Sequence, residues 1–222
     1  TGSGKSTLLA ALLHDINQHC EGHLLTLEDP IEYEHAPLQC LIHQREVGRD
    51  TPDFESGLRA ALREDPDVIL VGEMRDAATI RLALTAAETG HLVLSTLHTA
   101  SAPQAVDRLV DAFGSHEKEA VRALFAENLI AVLAQTLCPQ LGGVGRVAAH
   151  EIMVGTPAVK NLIREGKVSQ LYSALQTGQA AGMQTLDQSL LRHFQSGQIS
   201  ADTLRLLSKF HPKPQSDGQL PA

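Results

Sequence analysis

The sequence predicts an α/β fold: a nucleotide-binding core over residues 1–153, a small helical region over 154–210, and a polar, Pro-rich tail over 211–222 expected to be disordered. Three observations carry this. The chain opens on TGSGKST, the end of a phosphate-binding loop of the form G-x-x-x-x-G-K-[ST], followed at once by an apolar helical pattern. Helix and strand periodicities then alternate as far as Met153. Beyond that point only helix-start and helix-stop signals recur.

Each element has a local reason. Residues 6–18 read as a helix and 23–27 as a strand that runs into the acidic stretch EDPIEYEH. A short strand is predicted around Leu41, a helix over 54–63 and a buried strand over 67–71. Asp76 is placed to cap a helix through Ile80, Leu84 and Ala87 that stops at Gly90, and residues 91–96 form another apolar strand. Ser101 and Gln104 have capping-box spacing for a helix to about Phe113; a longer helix is predicted over 117–137. The QLGGVG turn then leads into a strand over 147–153. Thr156-Pro157 opens a helix ended by Gly166, Thr185 with Gln188 opens another ended by Gly197, and Ser200 opens a third.

Composition narrows the function. With 222 residues and 43% apolar content the chain can bury a proper core. A formal charge of -8 does not suit a nucleic-acid binder, which needs a basic face for phosphates. Cys20, Cys40 and Cys138 stand far apart, so neither a disulfide framework nor a zinc site is suggested, and a reducing cytoplasm fits. No apolar run approaches the ~20 residues that span a bilayer, so direct membrane insertion is not expected and a membrane link runs through a partner.

Three groups of residues can do chemistry. In a phosphate loop, backbone N–H groups surround the anion, which calls for small residues such as Gly2, Ser3 and Gly4. Lys5 then reaches the β- and γ-phosphates, and the Ser6 hydroxyl, with Thr7 beside it, ligates Mg²⁺. The second group is DPDVILVGEMRD, where four aliphatics deliver Glu73 at a strand's C-terminal end. Glu73 is placed to polarise an attacking water or to hold Mg²⁺ through water, while Gly72 occupies the place where many P-loop enzymes carry a metal-binding Asp. The four acids of EDPIEYEH repel one another unless neutralised, which argues for a role. His98 lies just beyond a strand, positioned for a γ-phosphate or a water; His91, at that strand's start, suits packing. Arg59, Arg63, Arg75 and Arg81 suit either phosphate contacts or surface ion pairs.

Taken together, LEDPIEYEH, LRAALREDPDVILVGEMRD and TGHLVLSTLHTASA resemble the acidic box, atypical Walker B region and histidine box of the secretion-type hexameric ATPases. Within that family the chain is similar to the PilT-type retraction ATPases of type IV pili. TPAVKNLIREGK resembles their hallmark AIRNLIRE, with Val159 and Lys160 replacing Ile and Arg, and no tetracysteine element of the assembly and secretion motors is present. The resemblance implies a RecA-like P-loop core, ATP and Mg²⁺ as ligands, a homo-hexamer, and an inner-membrane pilus platform protein as partner on the cytoplasmic face. It maps two catalytic glutamates onto Glu32 and Glu73 and places His98 near the nucleotide. It also leads us to expect an upstream PAS-like domain, and a strand feeding the phosphate loop, ahead of Thr1. A type II secretion or pilus-assembly ATPase is the nearer alternative; a small-molecule kinase and a non-catalytic ring subunit are more distant ones.

Overall fold

The structure is a computed structural model that describes residues 2–208. The tail from residue 211, expected to be disordered, lies outside those residues, as does Thr1.

Helix α1 (Lys5–His19) springs from the phosphate loop, with Gly4 at its N-cap in the left-handed region (φ 79°) that glycine tolerates. Four parallel strands follow: β1 (Gly22–Glu28), β2 (Cys40–Glu46), β3 (Val68–Val71) and β4 (Leu92–Ser95), in the spatial order β2-β1-β3-β4. The sheet is covered on both faces, which is why its central strands are nearly continuous aliphatic runs. Leu24, Val68 and Leu70 pack with Leu13 of α1 on one face. Leu25, Leu27, Ile69 and Val71 pack on the other against α2 (Phe54–Ala61) and α3 (Ala77–Glu88). Asp53 and Asp76 cap these two helices by accepting from the N–H of Ser56 and Thr79.

Helix α4 (Ala102–Asp111) begins at Ser101, whose hydroxyl accepts from the Gln104 N–H at 3.4 Å. The Gln104 side chain reaches one residue further back than a capping box requires and accepts from the Ala100 N–H. The long helix expected over 117–137 does not form. Helix α5 (Lys118–Asn128) stops at Leu129, and the second half is strand β5 (Ala131–Pro139), paired antiparallel along its whole length with β6 (Arg146–Val154). AVLAQTL has helical propensity, but nine ladder pairs with β6 outweigh it. Gly155 marks the tight base of the hairpin, where a Cβ would lie 2.0 Å from the Leu129 carbonyl oxygen.

Four more helices pack on this hairpin: α6 (Pro157–Arg164), α7 (Leu171–Thr177), α8 (Leu186–Gln195) and α9 (Ala201–Leu207). Three carry the expected caps: Thr156, Ser200, and Thr185 with Gln188 in a full capping box. Helix α7 has no capping signal; it forms because Leu171 and Leu175, one turn apart, are both fully buried. With Met153, Val159, Ile163 and residues of α4 and α5 they make one core, while Cys138, Ala149, Leu186, Leu190 and Leu204 make another.

Candidate functional site

The C-terminal ends of β1, β3 and β4 open into a cavity of about 340 Å³. Ligands bind at this end of open parallel sheets because strand order reverses there and the loops diverge, here between β1 and β3. Gly2, Ser3, Gly4, Lys5, Ser6 and Thr7 line one side; Glu32, Glu73 and His98 line the rest, together with Glu28, Tyr33, His35 and Thr96. All nine candidate site residues therefore come to one cleft.

Glu73 follows β3 after a single residue, Gly72. That glycine is required by space: a Cβ would sit 3.2 Å from the Leu27 carbonyl oxygen and 3.4 Å from Glu28 Cα, so a larger residue there would crowd β1. The Gly72 N–H bonds Leu27 O, and its own carbonyl accepts from the Thr96 hydroxyl at 2.6 Å, which ties the ends of β1, β3 and β4 together. The Glu73 carboxylate is 18% exposed and meets Arg75 at 2.7 Å and His98 Nε2 at 3.0 Å. The Arg75 guanidinium, with His98 and Lys5 adding to it, holds Glu73 below the usual carboxylate range against its burial, so the group is ionised at neutral pH.

Glu32 is exposed on the acidic loop, separate from the Glu73 pairs. The loop is held by contacts that the charge pattern did not indicate. Glu28 accepts from the Thr26 hydroxyl at 2.7 Å and from Gln44 at 3.2 Å, and Glu46 accepts from the Ile31 N–H. Tyr33 meets the Thr7 hydroxyl at 2.9 Å, joining the acidic loop to the phosphate loop. Of the four acids Glu28 thus spends its charge on contacts inside the protein rather than repelling in solvent, and Glu46 of β2 holds the loop backbone at Ile31. His91 hydrogen-bonds the Ala86 carbonyl at the end of α3, the packing role expected of it. Arg59 pairs with Glu55 and Arg81 with Glu117, both surface ion pairs, and Arg75 alone of the four arginines reaches a cleft carboxylate among the described contacts.

The Ser6 hydroxyl and an ionised Glu73 carboxylate are hard oxygen donors, and two protein oxygens suit a Mg²⁺ ion that keeps waters and phosphate oxygens as its other ligands. Among the described residues no group of three His, Cys, Asp or Glu side chains forms a self-sufficient metal cage.

Two histidines make the fold pH-sensitive. Burial lowers His35, in the cleft, and His150, on β6, below their ordinary value of 6.5, with His193 adding to the effect on His150. The unfolded chain then takes protons more readily than the folded one, so stability must fall as pH drops through 6.5. Thermal melts between about pH 7.5 and pH 5.5 should show a falling midpoint, with a smaller drop in His150→Gln; a flat midpoint in the native protein would contradict this.

Residues 1–205 match the family model described as type II/IV secretion system protein. The chain belongs to that family. It is 60% identical over 209 residues to the type IV pilus retraction ATPase PilT of Pseudomonas aeruginosa, and 57% identical over 205 residues to a twitching motility protein of Neisseria gonorrhoeae. These alignments take in 94% and 92% of the chain but only 60% and 55% of the relatives' lengths. Among solved structures, a crystal structure of the pilus retraction motor PilT with bound ADP superposes with a TM-score of 0.86 at 46% identity, covering 94% of this chain and 59% of that one. The Legionella pneumophila ATPase DotB superposes at 0.84 with 34% identity, covering 93% and 57%. The parallel sheet, its loop and its helices are thus the RecA-like P-loop core of this secretion-protein family.

Sequence reasoning missed Tyr33 and Gln135, which hold the phosphate loop from two sides. Tyr33 was legible only as part of the acidic stretch; Gln135 fell in the segment read as helix.

Proposed function

We propose that the intact protein is an ATP-hydrolysing subunit of a homo-hexameric motor that powers type IV pilus retraction and twitching motility. The observation that carries this is an ionised Glu73 at the end of β3, held by Arg75 and His98 in the same cleft as the phosphate loop. The retraction and twitching names of the relatives at 60% and 57% identity support the choice of motor.

The residues divide the work. Backbone N–H groups of Gly2, Ser3 and Gly4 and the start of α1 cradle the phosphates, and Lys5 neutralises charge developing on the γ-phosphoryl oxygens. Ser6, with Thr7 beside it, and Glu73 would hold Mg²⁺, which when bound with ATP would supply further charge neutralisation. Glu73 orients the attacking water and takes its proton, aided by Glu32 on the facing loop. His98, bonded to Glu73, senses loss of the γ-phosphate and passes the change along the β4–α4 connection. The ring works at the cytoplasmic face of the inner membrane, docked on a pilus platform protein; among the described residues no helix is long and apolar enough to cross a membrane.

The test uses the intact protein and its gene. Purified protein with labelled ATP should release phosphate to water, whereas transfer to a metabolite would favour a kinase. Deletion should leave cells with abundant pili that do not retract; loss of pili or of secretion would assign the protein to the assembly or secretion branch instead.

A further inference from the structure

The phosphate loop is held from behind by a chain of hydrogen bonds that lies outside the cleft. Gln135 on β5 donates from Nε2 to the Ser3 carbonyl oxygen at 2.6 Å, and its Oε1 lies 2.8 Å from Nε2 of His150 on β6. These two contacts fix each other. An amide donates only through nitrogen, so with Nε2 on a carbonyl, Oε1 must accept and His150 must carry a proton on Nε2. Residues 135 and 150 are direct partners in the hairpin ladder. The His150 backbone is tied in turn to the C-terminal helices: its N–H donates to Ser189 Oγ at 3.1 Å and its carbonyl accepts from Gln184 Nε2 at 2.7 Å.

The consequence falls on one peptide unit. In a planar trans peptide the C=O and the following N–H point in opposite directions. Gln135 does not line the cleft, so drawing the Ser3 carbonyl toward it turns the Gly4 N–H the other way, toward the phosphates. Gly4 is suited to this twice over. Its φ of 79° is left-handed, and the space a Cβ would fill is taken by Gln135 Nε2, 2.6 Å away.

We propose that Gln135, seated by His150, is a positioning residue that sets the Ser3–Gly4 peptide for phosphate binding and links that peptide to the C-terminal helices. The inference rests on the nucleotide reading given above. Burial keeps His150 neutral to lower pH than usual, and both its protonated form and its Nε2–H tautomer donate to Gln135.

The test is calorimetric binding of ADP to the intact protein, with steady-state ATP kinetics beside it. Gln135→Glu keeps the shape but removes the donor and sets a carboxylate against the Ser3 carbonyl. It should weaken ADP binding by about tenfold or more and raise KM for ATP in parallel, with kcat changed by less than about threefold. His150→Phe should move both in the same direction by less, and His150→Gln, which still offers an N–H to Gln135, should restore near-native affinity. Adding His150→Phe to Gln135→Glu should cost little more, because the two act through one contact. The proposal is overturned if the native protein binds ADP and Gln135→Glu binds it within about twofold of that affinity. Should Gln135→Glu fail to fold, equal ADP affinity in His150→Phe and His150→Gln would overturn it as well. If the native protein does not bind ADP at all, the nucleotide reading itself is wrong and this inference goes with it.

Discussion

Glu73→Gln in the intact protein should leave ADP binding nearly unchanged and cut ATP turnover by roughly two to four orders of magnitude. The side chain keeps its length but loses the charge that Arg75 and His98 both address. A neutral amide cannot accept the proton of an attacking water, the step proposed for this carboxylate. Binding survives because the phosphate loop supplies it from a different element, the turn before α1. Single-turnover phosphate release measured beside ADP calorimetry separates the two effects. Unchanged turnover would remove Glu73 from the role of water activator and shift it to Glu32, which shares the cleft. A parallel loss of binding would instead make Glu73 a ligand-holding residue.

Glu151→Ala should destabilise the protein by about 2–3 kcal/mol, and Glu151→Gln by about 1 kcal/mol. Glu151 is 2% exposed on β6, and its carboxylate accepts from the N–H of Ala102, the first residue of α4, at 2.7 Å. That N–H is one of the donors a helix leaves unpaired at its start, and Ala102 is fully buried, so water cannot replace the lost partner. Alanine removes the acceptor and opens a void between hairpin and helix. Glutamine keeps an acceptor but gives up the favourable placement of negative charge at the positive end of the helix dipole. Urea unfolding followed by circular dichroism gives the difference; an Ala variant within about 0.5 kcal/mol of native would show that this contact carries little of the hairpin's attachment.

Legibility in the sequence followed the range of the forces involved. Elements set by near neighbours were readable: the aliphatic run of β3, and the caps at Asp76, Thr156, Thr185 and Ser200, where one side chain meets an N–H three residues on. Helix α7 was not, because it has no cap and exists through the burial of Leu171 and Leu175 against other elements. The segment 131–139 was misread for a related reason. Its residues tolerate a helix, and only pairing with β6, separated by a turn, decides for a strand.

The site divides along the same line. By itself the sequence singled out the residues proposed to bear the chemistry, since Lys5, Ser6, Glu32, Glu73 and His98 lie in motifs whose spacing is local. Tertiary structure alone decided how those groups are held: Arg75 and His98 converging on one carboxylate, Tyr33 joined to Thr7, and Gln135, backed by His150, bracing the Ser3 carbonyl from 132 residues away. Motif chemistry is encoded by covalent neighbours. The distances and directions that tune it arise only when strands distant along the chain are brought together by burial of their apolar faces.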